Sequence, residues 1–133
     1  MQAINNVLSR LKDFEGLEDG TYDYFTKSIV SFDDGYQVTF HNCDKDYTIE
    51  EYDGLVKNLM ELTNSKLYIG VYGSPEASFY CKEFKLAKDI AEKYNQYSIW
   101  GWFECTEIEN PQYDSSKGNK IKGGEEDEEV RGI

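Results

Sequence analysis

Residues 21–43, TYDYFTKSIVSFDDGYQVTFHNC, contain the pattern that decides the predicted fold. The part from 21 to 32 is rich in aromatic and β-branched side chains, which favour a strand. Residues 36–43 alternate apolar and polar side chains, as a half-buried strand does. Asp34-Gly35 lies between the two runs and is typical of a tight turn, because glycine adopts positive φ without a steric penalty. The segment therefore predicts an antiparallel β-hairpin.

Three segments outside this hairpin space their apolar residues as helices do. The first covers residues 2–15 and should end near Gly16. The second covers residues 48–63 and opens with Thr48-Ile49-Glu50-Glu51, a capping box in which Thr and Glu side chains satisfy amides of the first turn. The third has its apolar positions between residues 86 and 94.

Three further segments predict strands. Residues 67–72 and 77–81 are separated by a Gly-Ser-Pro-Glu turn and form a second hairpin. Residues 98–105, SIWGWFEC, form a fifth strand. The sequence thus predicts an α+β fold: an antiparallel or mixed five-stranded sheet, built from two hairpins plus a last strand, with about three helices packed on it.

The chain is expected to form one domain followed by a tail. Its 133 residues suffice for a single core. The α+β domain is assigned to residues 1–106, and the loss of periodicity with many Ser, Gly and acidic residues indicates an acidic, disordered tail over residues 107–133. No apolar stretch approaches the ~20 residues of a membrane span. Because the N-terminus lacks a signal-peptide pattern, we expect a cytoplasmic protein.

The cysteines and the single histidine could in principle form a reactive site. Cys43, Cys81 and Cys105 are odd in number and widely spaced, which indicates reduced, buried thiols. His41 lies two residues from Cys43 and could activate a thiolate, but no orienting third group is identified, so a half-buried strand histidine is the simpler interpretation. A Cys3His zinc site matches the ligand count but lacks a short two-ligand knuckle. We predict no catalytic residue, no metal and no cofactor.

Charge is unevenly distributed along the chain, whose net charge is −12. Residues 1–12 contribute +2, residues 13–53 contribute −10, residues 54–106 sum to zero and the predicted tail adds −4. A surface of one sign repels nucleic acids and anionic membranes and attracts a basic partner. We therefore expect neither direct nucleic-acid binding nor membrane binding.

The acidic half could imitate a nucleic acid. Alternate residues of a strand lie about 6.6–6.8 Å apart, close to the spacing of phosphates in an extended strand. The acids predicted to form this surface are Asp23, Asp33, Asp34, Asp44, Asp46, Glu50, Glu51 and Asp53. The tyrosines predicted to add contact area are Tyr22, Tyr24 and Tyr47. The alternative is that the acids only keep a Tyr-rich protein soluble.

The length, acidity, Asn/Lys/Tyr-rich composition and acidic C-terminus resemble small proteins encoded by phages and prophages of Gram-positive bacteria, which include anti-CRISPR inhibitors. Residues 79–102 are similar to a helix-then-aromatic-strand unit of uncharacterised phage and bacterial proteins. The resemblance implies an anti-defence role in the host cytoplasm through tight binding of one host protein. The resemblance implies no catalytic residues in this chain.

These observations predict a non-enzymatic protein-binding inhibitor. Its acidic, Tyr-rich surface would occupy the basic groove of a host protein, a Cas nuclease or another nucleic-acid-binding enzyme. One alternative is a phage structural or replication accessory protein whose acidity is only solvating. Another is a small-molecule-binding or hydrolytic protein with a pocket between sheet and helices.

Overall fold

A computed structural model describes residues 4–40 and 47–114. The helices are α1 (Val7–Arg10), which continues as a 3-10 helix (Leu11–Phe14), α2 (Ile49–Thr63) and α3 (Phe84–Lys93). The strands are β1 (Gly20–Asp23), β2 (Ile29–Val30), β3 (Tyr36–Thr39), β4 (Tyr68–Val71), β5 (Pro75–Cys81), β6 (Ser98–Gly101) and β7 (Thr106–Glu109). All pairings are antiparallel, in the order β2-β1-β4-β5-β3-β6-β7. The α+β class is confirmed, but the sheet has seven strands rather than five.

The helices pack on one face of this sheet. Strand residues such as Val38, Ile69 and Phe79 are at most 1% exposed and form one core cluster with helical residues such as Leu59 and Ile90. Side chains alternate between the two faces of a strand, so the residues in between point away from the helices. We call the two sides the helix face and the open face.

The predicted hairpin over residues 21–43 is wrong. The segment from 21 to 32 is split, because the Asp23 carboxylate accepts hydrogen bonds from the backbone amides of Phe25 and Thr26 and turns the chain. β1 and β2 pair across this short turn, whereas β3 lies between β5 and β6. The alternating pattern identified β3 correctly as a strand but contained no information about its neighbours.

The link between β2 and β3 crosses the open face instead of closing a hairpin. The Phe32 ring lies 4.2 Å from the ring of Tyr80 and 5.4 Å from those of Tyr68 and Trp102, centroid to centroid. Gly35 has a φ of 86° and its carbonyl accepts a hydrogen bond from the Trp102 amide at 2.9 Å. Asp34-Gly35 therefore bends the chain, but it directs the chain into the middle of the sheet instead of closing the predicted hairpin.

Several predicted elements are confirmed. α2 begins at the predicted capping box, in which the Thr48 hydroxyl accepts from the Glu51 amide at 3.1 Å and the Glu51 carboxylate accepts from the Thr48 amide at 3.0 Å. β4 and β5 form the second hairpin, and α3 lies where the apolar spacing placed it. Among the described residues, no helix combines the length and apolar character that crossing a membrane would need.

The two ends of the domain differ from expectation. The first helix starts at Val7 and has one turn before it narrows to a 3-10 helix, so it is shorter than the predicted 2–15. β7 lies inside the predicted tail and pairs with β6. Asn110 then donates its side-chain amide to the carbonyls of Ala91 and Gln96, at 3.3 and 2.8 Å. Regular structure thus continues past residue 107, and residues 115–133 lie outside the described part.

Candidate functional site

Asp23 was predicted to belong to the acidic surface, but it is a structural residue. Its side chain is buried, and its carboxylate accepts from the amides of Phe25 at 2.8 Å and Thr26 at 3.0 Å and pairs with the Lys66 ammonium at 2.9 Å. Burial opposes ionisation, but these hydrogen bonds outweigh it and hold the pKa of Asp23 below its ordinary value. A partner protein has no access to this carboxylate.

Asp53 is the second predicted acid that the fold buries. Its two carboxylate oxygens accept hydrogen bonds from the backbone amides of Asn6 at 2.6 Å and Val7 at 2.9 Å. Asn6 is the N-cap residue of α1 but makes no side-chain capping bond within the described residues. Asp53 of α2 therefore caps α1 across a tertiary contact, and its assignment to a binding surface is corrected.

The remaining predicted acids are exposed or undescribed. Asp33 and Asp34 lie in the link that crosses the open face, and the Asp34 carboxylate accepts from the Tyr80 hydroxyl at 3.2 Å. Glu50 and Glu51 lie in the first turn of α2, on the helix face. The fold therefore does not bring these two pairs together. Asp44 and Asp46 lie outside the described residues, as do His41 and Cys43.

The predicted contact tyrosines belong to the core. Tyr22, Tyr24 and Tyr47 are 7%, 1% and 8% exposed. The Tyr22 ring packs edge-on against Phe14, and its hydroxyl donates to the carbonyl of Glu18 at 2.7 Å. Their assignment to a binding surface is wrong because a tyrosine with its hydroxyl satisfied can be fully buried.

The strands of the open face contain acids but no basic residue, an asymmetry that linear sequence does not reveal. Of the seven strands in the described residues, none contains a lysine or arginine, whereas Asp23, Glu76, Glu107 and Glu109 all lie in strands. The register places all four on the open face. Residues 54–106 sum to zero because six lysines balance six acids, but all six lysines lie outside the strands. Summing charge over the strands predicted from sequence would not have found this asymmetry, because Lys27 lies in the predicted strand 21–32 and Glu107 and Glu109 lie in the predicted tail.

Aromatic side chains cover the half of the open face that the link crosses. Phe32 stacks on Tyr80 and meets the edges of Tyr68 and Trp102, and Trp102 in turn stands edge-on to Trp100 at 6.2 Å between centroids. These rings immobilise one another, so they form a rigid surface with little conformational entropy left to lose on binding.

The other half of the open face contains a groove of about 300 Å³. Tyr72 and Trp100 form its two walls, and its remaining lining residues are Gln37, Thr39, Ser98, Ile99 and Glu107. The Tyr72 ring lies over Gly70, where a Cβ atom would come within 3.1 Å of it, and its hydroxyl lies 3.2 Å from the Thr21 hydroxyl. Gly70 thus allows the tyrosine to fold onto the sheet.

A buried polar network forms the floor of this groove. The Gln37 side chain accepts from the Thr21 hydroxyl at 3.0 Å and donates to the Ser78 hydroxyl at 2.6 Å, and Ser78 is also hydrogen-bonded to Thr39. All four side chains are at most 8% exposed. Such a satisfied network holds the floor in a single arrangement.

Glu107 stands at the rim of the groove. It lies directly opposite Trp100 in the β6–β7 pairing. One carboxylate oxygen, Oε2, accepts from the Ser98 hydroxyl at 2.6 Å. The other oxygen has no hydrogen-bond partner among residues 4–40 and 47–114. The groove therefore presents a carboxylate oxygen that a ligand can reach.

The described residues offer little for thiol or metal chemistry. Cys81 points to the helix face, where burial raises the pKa of its thiol to about 12, while Cys105 is exposed. No group of three or more His, Cys, Asp or Glu side chains in the described ranges is placed to hold a metal ion. His41 and Cys43, which were considered as a reactive pair, lie outside those ranges.

A second concavity lies between α3 and the sheet, where a small-molecule pocket was considered. It measures about 40 Å³ and is lined mainly by apolar side chains, including Phe84, Ile99 and Ile108. Small-molecule pockets usually measure about 300–1,000 Å³, so this one is too small for a metabolite. The groove on the open face is therefore the candidate site.

The chain matches no protein-family model, no curated protein and no solved structure.

Proposed function

We propose that the protein is a binding inhibitor that docks its open face on a basic, nucleic-acid-handling surface of a partner protein. The observation that carries this proposal is the composition of that face, whose strands contain no lysine or arginine and present two exposed acids, Glu107 and Glu109. Exposed acids next to rigid aromatic rings suit a surface that normally holds phosphates and bases.

In such a complex, the acidic side chains would speed association and the aromatic side chains would supply buried contact area. Glu107, Glu109, Asp33 and Asp34 are exposed around the open face and would speed association with a basic partner. Tyr72 is 48% exposed and Trp100 is partly exposed, so both can lose further area to a partner. Tyrosine and tryptophan are enriched among the residues that dominate binding energy.

This proposal keeps the partner class expected from sequence but moves the interface. The predicted interface was the acidic half of the chain, and two of its acids, Asp23 and Asp53, and all three of its tyrosines are buried. The resemblance to anti-defence proteins of phages favours a Cas nuclease as the partner. An accessory role in phage structure or replication remains the alternative.

A pair of charge-reversed variants tests the proposal. The first combines Glu107→Lys with Glu109→Lys on the open face. The matched control combines Glu15→Lys with Glu61→Lys, which are exposed outside the sheet strands. Each double variant changes the net charge from −12 to −8, because each reversal adds two positive charges. Far-UV circular dichroism and thermal unfolding would establish that both retain the fold.

Immobilised wild type and both variants would be exposed to lysate of a Gram-positive host at low and high salt. We expect a basic protein to be captured by the wild type and the control, and released by high salt and by added DNA or RNA. The open-face variant should associate on the order of ten-fold more slowly with that protein at low salt. Equal capture by both variants, or no competition from nucleic acid, would refute the proposal.

A further inference from the structure

We infer that the groove between Tyr72 and Trp100 takes the guanidinium group of an arginine side chain of the partner. This inference rests on the proposed function and names the group that the open face recognises. The aromatic walls, the acidic rim and the floor of the groove together favour a planar cation.

The walls are two aromatic rings held in place by the protein itself. The Tyr72 hydroxyl lies 3.2 Å from the Thr21 hydroxyl, and Trp100 is braced edge-on by Trp102. Aromatic faces attract cations, and arginine stacks on them with its planar guanidinium. Because both rings are already fixed, an entering side chain does not have to order them.

The rim supplies the countercharge. Glu107 faces Trp100 directly across the β6–β7 pairing, and residues paired in this way have Cβ atoms about 4.5–5.5 Å apart. Ser98 holds one of its carboxylate oxygens at 2.6 Å, which leaves the other oxygen for a ligand donor. A guanidinium that lies along Trp100 can therefore donate to Glu107 at the same time.

The floor and the surrounding charge exclude anions. Gln37 and Thr39 use their polar atoms in the network with Thr21 and Ser78, and none of the groove-lining residues is a lysine or arginine. An anion would meet the Glu107 carboxylate and would find no cationic side chain among the groove-lining residues. Lysine fits less well than arginine, because its ammonium is a compact, strongly hydrated charge that cannot stack as a plane.

A titration without any partner protein tests this inference. ¹⁵N-labelled protein would be titrated with N-acetyl-arginine N-methylamide while amide and indole signals are followed by NMR at constant ionic strength. We expect shifts centred on Tyr72, Trp100 and Glu107, with a dissociation constant on the order of 10 mM for one stacked ion pair. The citrulline analogue has nearly the same shape without the charge, and it should bind at least about five-fold more weakly.

Two variants separate a specific site from general attraction. Glu107→Gln should weaken binding of the arginine probe about five-fold. Glu61→Gln removes the same charge at an exposed position of α2 that does not line the groove, so binding should stay within about two-fold of wild type. Equal binding of the citrulline probe, equal effects of the two variants, or shifts centred on another surface would overturn the inference.

The outcomes distinguish this inference from the proposed function. If the arginine probe does not bind but capture still depends on Glu107 and Glu109, the groove inference fails and the proposed function stands. If the probe binds as described but capture from lysate is independent of charge, the proposed function fails. In that case the preference of the groove for guanidinium remains established.

Discussion

Replacing Asp53 by alanine should destabilise the fold far more than replacing Glu50, an exposed acid three residues earlier in the same helix. Asp53 accepts hydrogen bonds from the amides of Asn6 and Val7, at 2.6 and 2.9 Å, and so caps α1. Val7 is fully buried, whereas Asn6 is exposed. The alanine variant therefore leaves one buried amide without a partner and one that water can reach.

The expected loss of stability follows from the different burial of these two amides. An unsatisfied buried amide costs about 1–3 kcal/mol, and loss of a capping acid typically costs about 1 kcal/mol. We expect Asp53→Ala to lower the free energy of unfolding by about 2–3 kcal/mol, and Asp53→Asn by about half of that, because its amide oxygen keeps one acceptor. Glu50→Ala should cost about 0.5 kcal/mol through its interaction with the dipole of α2.

Urea unfolding followed by tryptophan fluorescence would measure these differences, with the denaturant slope as a check that the transition stays cooperative. In thermal unfolding, a loss of this size corresponds to about 6–9 °C for a chain of this length. If Asp53→Ala and Glu50→Ala agreed within about 0.5 kcal/mol, a value typical of surface changes, the capping role would be refuted.

Asp23→Asn should reduce stability at neutral pH. The fold lowers the pKa of Asp23, so its carboxylate stabilises the protein above the unfolded pKa, and this stabilisation is lost as the pH falls through the folded pKa. In urea unfolding, the difference in free energy of unfolding between wild type and variant should therefore disappear below about pH 4. Gly35→Ala should destabilise the protein by at least about 1–2 kcal/mol, because φ is 86° and an added Cβ would overlap the phenol group of Tyr80. Gly54→Ala, in α2 with nothing within 4 Å of the added Cβ, should stabilise it by about 0.5–1 kcal/mol, and opposite shifts in unfolding midpoint would check both. Iodoacetamide should modify Cys105 in the folded protein at neutral pH but Cys81 only after denaturation, because burial raises the pKa of Cys81 to about 12; peptide mapping that finds both equally modified would contradict its burial.

The candidate site could not be assembled from the sequence. Asp23 and Tyr24 are neighbours in an acidic, aromatic stretch that suggested an exposed surface, yet the fold buries both. Glu107 and Trp100, which do line the groove, were assigned to a predicted tail and a predicted strand. They meet only because β7 extends the sheet beyond β6.

The sequence by itself determined the α+β class, the start of α2 at Thr48 and the β4–β5 hairpin. These features depend on side chains and turns within a few residues of one another, which local pattern expresses directly. Only the tertiary structure decided that β3 lies between β5 and β6, that Asp53 caps a helix 46 residues earlier, and that the open face has no basic residue in its strands. Each of these depends on which distant segments become neighbours, and alternation of apolar and polar side chains specifies the face of a strand but not its partner.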